Sequence, residues 1–175
     1  MADRRKLIGP RAMLRAPRLD DADVLFERIA SDPEVTRYLS WSPHPNVAET
    51  RRVITELFNV GDEQTWLIEM PESGPVGLCG WRRPQSHSIE IGYCLGRRWW
   101  RQGLMSEVLP LLIEQAQSDP AVYRVYAYCH VDNIGSARVL EHSGLALEGR
   151  LVRYGIFANI SAEPQDCLMF AKALR

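Results

Sequence analysis

Residues 88–118 constrain the fold more than any other stretch, because two different hydrophobic periodicities follow one another there. Residues 88–95 alternate apolar with small or polar side chains, which is typical of a β-strand. Residues 105–116 repeat apolar side chains at the spacing of an amphipathic helix. Between them lies a turn, residues 96–103, with three arginines and two tryptophans. The stretch therefore predicts a strand, a cationic turn and a helix in that order.

The turn before this helix has the chemistry of an anion site. The first N–H groups of a helix have no partner within it, and the helix dipole places positive charge there. Gly103 would let a bound group approach the backbone closely. We therefore expect a phosphate-bearing ligand at this turn. The same pattern also fits an ordinary strand-to-helix connection, because neither G-x-G-x-x-G nor G-x-x-x-x-G-K-[ST] is present.

The composition is that of a globular domain without a bias toward polyanionic partners. The chain has 175 residues, of which 46% are hydrophobic and 25% are charged, and its net charge is −1. This length fits one domain, residues 1–175, with a substantial core. Residues 1–9 are charged, and we expect them to be flexible. The small net charge argues against a general affinity for nucleic acid or for an anionic membrane.

The cysteine pattern and the N-terminal sequence indicate the compartment. The four cysteines, Cys79, Cys94, Cys129 and Cys167, form no C-x-x-C pair. They fall inside predicted strands, so reduced buried thiols are expected rather than a zinc site or a disulfide framework. The first residues lack the apolar segment of a signal peptide, and no run approaches about 18 apolar residues. These features predict a cytoplasmic protein without a metal.

The remaining periodicities predict a sheet with helices packed on it. The predicted strands are residues 11–18, 65–70, 76–82, 88–95, 122–130, 145–154 and 166–174. The predicted helices are residues 20–29, 32–39, 46–61, 105–116 and 133–143. Asn46 with Glu49 has the pattern of a capping box at the start of the third helix. The order predicts an α+β, or mixed α/β, domain with one sheet of about seven strands flanked by helices.

Two sequence blocks in this framework resemble the GNAT superfamily of N-acetyltransferases, most closely its ribosomal-protein N-terminal acetyltransferase branch. The first block is Glu90–Tyr93 (EIGY) followed by Trp99–Leu109 (WWRQGLMSEVL); in that branch A-E-I-G-Y precedes Y-W-G-K-G-Y-A-T-E-A-L. The second block is Asn133–Ser136 with Leu140–Leu145, which is similar to N-x-x-S…L-E-K-x-G-F. The resemblance covers most of the chain, more weakly before Trp66. It implies a GNAT-like fold with a central, twisted, mostly antiparallel sheet.

The resemblance implies acetyl-CoA as cosubstrate, bound at the turn before the central helix. The implied cosubstrate-binding residues are Cys94, Leu95, Arg101, Gln102, Gly103, Leu104, Met105, Ser106, Asn133 and Ser136. Backbone N–H groups of residues 101–106 would hold the pyrophosphate, and one near Cys94 and Leu95 would polarise the thioester carbonyl. The family pattern Q/R-x-x-G-x-G/A falls on residues 100–105, where only Gly103 matches and Met105 replaces a small residue.

The resemblance also implies two catalytic residues. Glu90 matches the glutamate that parts of the family use as the general base for the amine. The alternative for Glu90 is a structural carboxylate that pairs with a neighbouring arginine or faces water. Leu140 stands where many members have a tyrosine that protonates the leaving thiolate, which leaves Ser136 for that role. Asn133 and Ser136 could equally be a helix cap and the first turn of its helix.

The acceptor is the least determined part of the site. By resemblance, the segment between the first two predicted strands closes over it, so Trp41 and His44 are the candidate substrate-binding residues. Alternatively, Trp41 belongs to the core and His44 to a solvated loop. The resemblance implies a primary amine, either a protein or peptide N-terminus or a small molecule, and is compatible with a homodimer. A second hypothesis is an acyl-CoA-binding regulatory domain that has lost catalysis, motivated by the altered turn and the missing tyrosine.

Overall fold

The computed structural model describes residues 6–175 and shows one sheet with helices on both faces. The strands are β1 (Leu7–Ile8), β2 (Met13–Arg15), β3 (Gln64–Met70), β4 (Gly74–Gln85), β5 (Ser88–Leu95), β6 (Arg124–His130), β7 (Ala146–Gly155) and β8 (Gln165–Ala173). The helices are α1 (Ala22–Leu25), α2 (Pro33–Thr36), α3 (Val47–Glu56), α4 (Leu104–Gln117) and α5 (Ile134–His142). Short helical turns flank α1 at Leu19–Asp21 and Phe26–Ala30, and another, Arg97–Trp99, precedes α4.

The sheet has the strand order β1-β2-β3-β4-β5-β6-β8-β7, and every neighbouring pair is antiparallel except β5 with β6. This confirms the predicted fold class, a mixed α/β domain whose mostly antiparallel sheet is flanked by helices. The sheet has eight strands rather than the predicted seven, since Leu7–Ile8 pairs with Met13–Leu14. That strand lies within residues 1–9, for which the sequence predicted flexibility; residues 1–5 lie outside the described part of the chain.

One face of the sheet packs against α4 and α5. The side chains of Ile89, Ile91 and Leu95 on β5 share a core with Leu109 and Leu112 of α4. α5 joins the same layer through its contacts with α4, β6 and β8. These are the apolar positions that the two periodicities of residues 88–118 placed on one side of a strand and of a helix.

The other face packs against the N-terminal helices. Leu67 of β3 shares a buried cluster with Leu25 and Ile29, and Cys94 of β5 packs against that cluster. Because side chains alternate along a strand, Glu90 lies on this same face as Cys94. Helices therefore pack on both faces of the sheet, and Glu90 lies on the face of the N-terminal helices.

β5 and β6 are parallel and separate after three residue pairs. The pairs are Ser88 with Arg124, Ile89 with Val125, and Glu90 with Tyr126. In the described structure β5 continues to Leu95 and β6 to His130 without further pairing between them. α4 forms the crossover that a parallel connection requires. The result is a gap between the two central strands beyond Glu90, which we call the β5–β6 opening.

Two asparagines cap helices that border the site. Asn46 accepts a hydrogen bond from the N–H of Glu49 at 3.1 Å and so begins α3, as the sequence predicted. Asn133 accepts one from the N–H of Ser136 at 3.2 Å and begins α5. Within residues 6–175, every helix is too short or too polar to cross a membrane.

Candidate active site

The β5–β6 opening exposes backbone groups of β5. Gly96 donates its N–H to the carbonyl oxygen of Val76 in β4 at 2.9 Å, which shows which residues of β5 direct their backbone groups toward β4. Because these directions alternate along a strand, the backbone N–H and C=O of Cys94 point toward β4, whereas those of Leu95 point toward the opening. The indole Nε1 of Trp100 donates to the Leu95 carbonyl at 2.7 Å from that side. Of the two residues predicted to polarise a thioester carbonyl, Leu95 therefore presents its N–H to the opening, and Cys94 directs its N–H to the sheet.

The turn from β5 into α4 contains two residues in the left-handed conformation. Arg101 has a φ of 59° and Gly103, which directly precedes α4, has a φ of 73°. In the part of the chain that the structure describes, no side chain caps the N-terminus of α4. The N–H groups of Leu104, Met105 and Ser106 are thus open to a ligand. This geometry meets the requirements of an anion site, with the helix dipole adding positive charge.

The departures from the family pattern leave this turn unobstructed. Met105 is only 5% exposed and, like Leu104, packs into the core beneath the sheet. Ser106 is half-buried, whereas Arg101 and Gln102 are exposed. The methionine that replaces a small residue therefore points away from solvent and does not fill the space in front of the N–H groups.

Arg11, in the β1–β2 connection, bridges the turn to α4. Its Nε donates to Oε1 of Glu107 at 2.8 Å, and its Nη2 donates to the carbonyl oxygen of Gln102 at 2.8 Å. The hydrogen bond to Glu107 raises the pKa of Arg11. The second carboxylate oxygen of Glu107 is buried and has no hydrogen-bond partner among the described residues. A carboxylate thus lies in the first turn of α4, beside the anion site, with Arg11 as its neutralising partner.

Glu90 lies at the point where β5 and β6 separate, and three hydrogen bonds hold its carboxylate. Arg82 of β4 donates Nε to Oε1 at 3.0 Å and Nη2 to Oε2 at 3.1 Å. Tyr126 of β6 donates its hydroxyl to Oε2 at 2.9 Å. Burial and the hydrogen bond to Glu90 raise the pKa of Tyr126 to about 12, so the phenol remains a donor at neutral pH. The arginine pairing that the sequence analysis held as the alternative for Glu90 is therefore present, and it orients the carboxylate.

Space for a substrate lies next to Glu90 on the same face of β5. A Cβ atom built at Gly92, two residues further along the strand, would have no atom of the described residues within 4 Å. The Glu90 side chain is 14% exposed, so one part of its carboxylate remains accessible. An amine could therefore approach this carboxylate from above Gly92.

Ser136 lies in the first turn of α5 and is bonded to a buried tyrosine of β5. Its Oγ is 2.7 Å from the hydroxyl of Tyr93. Burial raises the pKa of Tyr93, which keeps the phenol protonated. Asn133 bonds the Ser136 N–H, so the helix-capping role that the sequence left open for these two residues is present. The hydroxyl of Ser136 nevertheless forms a hydrogen-bonded pair with Tyr93, and this pair can pass a proton.

Glu90 and Tyr93 lie on opposite faces of β5, since they are three positions apart along the strand. Glu90 belongs to the face of the N-terminal helices, and Tyr93 packs against the core beneath α4. The β5–β6 opening connects the two faces. A group held in this opening can be reached by Glu90 from one side and by the Tyr93–Ser136 pair from the other.

Two connections cover the face on which Glu90 lies: residues 37–46, between α2 and α3, and residues 156–164, between β7 and β8. Trp41 and His44, the predicted substrate-binding residues, contact each other with ring centroids 5.2 Å apart. His44 Nδ1 lies 2.8 Å from Oγ1 of Thr50, and burial lowers the pKa of this histidine. Asn159, between β7 and β8, donates to the carbonyl oxygens of Thr36 and Trp41 at 2.7 and 2.8 Å. The two connections are thus joined to one another, and Trp41 is half-buried at their contact.

His130, at the end of β6, lies beneath this cover. Its ring contacts Tyr38 and Phe157, with centroid separations of 5.2 and 5.0 Å. Nδ1 accepts the N–H of Asp132 at 3.1 Å, which leaves the hydrogen of the neutral ring on Nε2. Nε2 is buried and has no partner among the described residues. The histidine therefore offers an unused donor at the far end of the opening.

The cysteines are placed as buried thiols. All four are free, and among residues 6–175 no group of His, Cys, Asp or Glu is arranged to hold a metal ion. Burial raises the pKa of Cys94 to about 12 and that of Cys129 to about 11. These thiols are protonated at neutral pH and are poor nucleophiles.

Sequence reasoning missed the partners that orient the predicted site residues. Arg82 and Tyr126 hold Glu90, and Tyr93 holds Ser136. Alternation along β6 predicts only which face Tyr126 occupies. Its position opposite Glu90 depends on the β5–β6 register, which the periodicity of each strand does not contain. No sequence pattern marks Arg11 as part of the site, because its partner Glu107 is remote in the sequence.

Comparison with known proteins gives the family. A family model described as an acetyltransferase (GNAT) domain matches residues 11–146. The uncharacterized N-acetyltransferase p20 of Bacillus licheniformis is 33% identical over 154 residues, which cover 85% of this chain and 86% of p20. The chain therefore belongs to the GNAT acetyltransferase family, and it is an N-acetyltransferase.

Solved structures share the fold at low sequence identity. An acetyltransferase of the GNAT family from Bacillus anthracis superposes with a TM-score of 0.85 at 20% identity, covering 97% of this chain and 99% of its own. RimL, a ribosomal L7/L12 α-N-protein acetyltransferase in complex with coenzyme A, gives a TM-score of 0.83 at 21% identity, covering 97% and 98%. Both likenesses extend over the whole domain and confirm its architecture.

Proposed function

We propose that the protein transfers an acetyl group from acetyl-CoA directly to a primary amine, in a complex that holds both substrates at once. The observation that carries this proposal is the β5–β6 opening, which has Glu90 on one face and the Ser136–Tyr93 pair on the other. The uncapped N-terminus of α4 lies where β5 leaves that opening. A thioester in the opening would meet a base, a proton donor and an anion site together.

The cosubstrate would be held mainly by backbone groups. The pyrophosphate of acetyl-CoA would accept hydrogen bonds from N–H groups of residues 101–106, with Arg101 adding positive charge. The acyl arm would enter the opening and lie between β5 and β6 where the two strands are no longer paired. There the Leu95 N–H would donate to the thioester carbonyl oxygen, and Asn133 would order the start of α5 beside it. The coenzyme A bound to the RimL relative supports this choice of cosubstrate.

The transfer needs two protons removed from the nitrogen and one supplied to the sulfur. Glu90 takes the first proton from the attacking ammonium and passes it to solvent, and the free amine forms the new N–C bond with the thioester carbon. The Leu95 N–H stabilises the oxyanion as charge develops. The C–S bond then breaks, and the nitrogen gives its second proton to Glu90, which returns it to solvent. Ser136 protonates the leaving thiolate while Tyr93 replaces the serine proton, and a proton from solvent restores the neutral pair.

The acceptor would lie on the face of Glu90, above Gly92 and beneath the two joined connections. Trp41 and His44 would border it. A protein or peptide N-terminal amine is supported by the branch resemblance and by the RimL likeness. A small-molecule amine fits the same space.

The test is a turnover assay with acetyl-CoA and a panel of amines at neutral pH. Released CoA thiol and the mass of the acetylated amine are both measured. We expect the two to appear in equal amounts with at least one amine, and to be lost in Glu90→Gln. Tight acetyl-CoA binding without release of thiol for any peptide or small amine would contradict the proposal and favour a non-catalytic acyl-CoA-binding role.

A further inference from the structure

The strands around the acceptor face carry carboxylates that are already neutralised. Each of the four carboxylates on β5 to β8 and on residues 156–164 forms an ion pair with an arginine. The pairs are Glu90 with Arg82, Glu148 with Arg124, Glu163 with Arg153, and Asp166 with Arg150. A polyamine would bring at least one further ammonium group, which needs a carboxylate partner when it is desolvated. Among the described residues of these elements, every such partner is occupied.

A bulge in β7 places an aromatic side chain over the same face. Between two flanking pairs of β7 with β8, three residues of β7 lie opposite a single residue of β8. The flanking pairs are Leu151 with Cys167 and Gly155 with Gln165. Arg153, within the bulge, has a φ of 52°. The bulge sets Tyr154 edge-on against Tyr128, with centroids 5.2 Å apart. Bulges commonly redirect a side chain beside an active site.

Tyr154 forms one wall of an open pocket of about 250 Å³. The other described residues that line it are Pro84, Gln85, Ser88, Arg124, Tyr126 and Met169, so its one charged group is the guanidinium of Arg124. Tyr126 is the residue whose hydroxyl bonds Glu90, so the pocket begins beside the carboxylate proposed as the base. A cavity of about 150 Å³ holds a benzene ring. The pocket is therefore large enough for one aromatic ring or one branched aliphatic group.

The part of the chain around Tyr154 exposes further apolar side chains. Tyr154 is 51% exposed, and its neighbours Val152 and Ile156 are 73% and 59% exposed. Exposed apolar side chains that adjoin a concave site favour an apolar ligand, because covering them removes apolar surface from water. The charge and the shape of this region therefore select the same kind of acceptor.

We propose that the acceptor is a primary monoamine that carries an aromatic or large aliphatic group close to the amine, and that this group occupies the Tyr154 pocket. The amine itself lies at Glu90, and its only positive charge is the ammonium that loses a proton. The inference rests on the proposed transfer and specifies its substrate class. A free arylalkylamine and a peptide with a large apolar N-terminal residue share this chemistry.

The test compares kcat/KM of the full-length protein for amines that differ in one property each. 2-Phenylethylamine, phenylalanine amide and a short peptide with N-terminal phenylalanine represent the proposed class. Ethylamine lacks the apolar group, and spermidine adds positive charge. We expect the aromatic amines to exceed both by about tenfold or more, as burial of one large apolar group implies. Comparison of the free amines with the peptide shows whether the enzyme prefers a free arylalkylamine or a peptide N-terminus.

Two substitutions locate the preference. Tyr154→Ala is expected to lower kcat/KM for phenylethylamine by about tenfold and that for ethylamine by much less, which narrows the preference between the two amines. Tyr123→Ala is the matched control, because Tyr123 is 53% exposed and lies outside the pocket. Arg124→Gln removes the positive charge that lines the pocket and releases Glu148 from its ion pair, so it is expected to raise kcat/KM for spermidine.

The outcomes separate this inference from the proposed function. Turnover of spermidine at or above the rate for phenylethylamine would overturn the inference and leave the acetyltransferase function intact. Equal use of ethylamine and phenylethylamine would overturn it too, as would an unchanged preference in Tyr154→Ala. If no amine in the panel released CoA thiol, the proposed function would fail, and the substrate class would fail with it.

Discussion

The guanidinium of Arg82 and the carboxylate of Glu90 face each other across the β4–β5 ladder, joined by hydrogen bonds of 3.0 and 3.1 Å. Arg82 is 54% exposed, whereas Glu90 is 14% exposed. The arginine thus approaches from the solvent side, and it leaves the carboxylate anchored at the β5–β6 opening. An oriented base of this kind can act without a search over side-chain rotamers.

Glu90→Gln is expected to lower kcat by about 10²–10⁴-fold, the usual range for loss of a general base. The amide keeps the shape and the Tyr126 bond but cannot accept the ammonium proton. Acetyl-CoA affinity, measured by calorimetry, should stay within twofold of the wild type. Glu114→Gln, exposed on α4, is the control; equal turnover in both variants across pH would remove Glu90 as the base.

Ser136→Ala is expected to lower kcat by about tenfold at neutral pH, and Tyr93→Phe by less, because the thiolate loses its proton donor. The deficit should shrink above the ordinary thiol pKa of about 8.5, where thiolate is a stable leaving group. A pH series of kcat measures this. Ser143→Ala, whose hydroxyl bonds the Val139 carbonyl in the same helix, is the control. A deficit that is the same at every pH would indicate a packing role.

Arg11→Met is expected to weaken acetyl-CoA binding by about two- to fivefold, the scale of one charge at a helix terminus. It would leave the Glu107 carboxylate uncompensated in the first turn of α4, where it repels a phosphate. Glu107→Gln should bind acetyl-CoA more tightly, and the double variant should return close to the wild type. Arg52→Met removes a comparable arginine–glutamate pair on α3 and should have no effect. A double variant that binds acetyl-CoA as weakly as Arg11→Met alone would contradict this account.

His44 is expected to make the fold sensitive to mild acid. Burial lowers its pKa below the ordinary 6.5. Below that pH the unfolded chain binds a proton that the folded chain does not, so the free energy of unfolding falls as pH falls. Urea unfolding from pH 7.5 to 5 should show this loss, and His44→Gln should reduce it. His142→Gln, exposed on α5, should leave it unchanged. An identical slope in His44→Gln would refute the assignment.

The order of elements could be read from the sequence because it rests on local patterns. The alternation of residues 88–95 and the helical spacing after Gly103 each need only neighbouring residues, and both were placed correctly. The Asn46 cap is similarly local. The two-residue strand Leu7–Ile8 was missed, since a segment that short shows no periodicity.

The site itself could be predicted only in part. The uncapped turn before α4 follows from strand, glycine and helix in sequence. The Arg82–Glu90 pair, the Tyr126 bond and the Tyr93–Ser136 bond depend on strand register and helix docking. These are tertiary properties, and a shift of one residue in register would have moved each side chain to the other face.

The central claim is that acetyl-CoA occupies the β5–β6 opening and the turn before α4. Isothermal titration of acetyl-CoA into the purified full-length protein tests it most directly, with Gly103→Val as the comparison. A β-branched side chain at Gly103 strains the turn, because its backbone has a positive φ of 73°. The account predicts saturable binding of one acetyl-CoA per chain, weakened by at least tenfold in the variant. Folded wild-type protein that gives no binding heat with acetyl-CoA or CoA at several temperatures would contradict it.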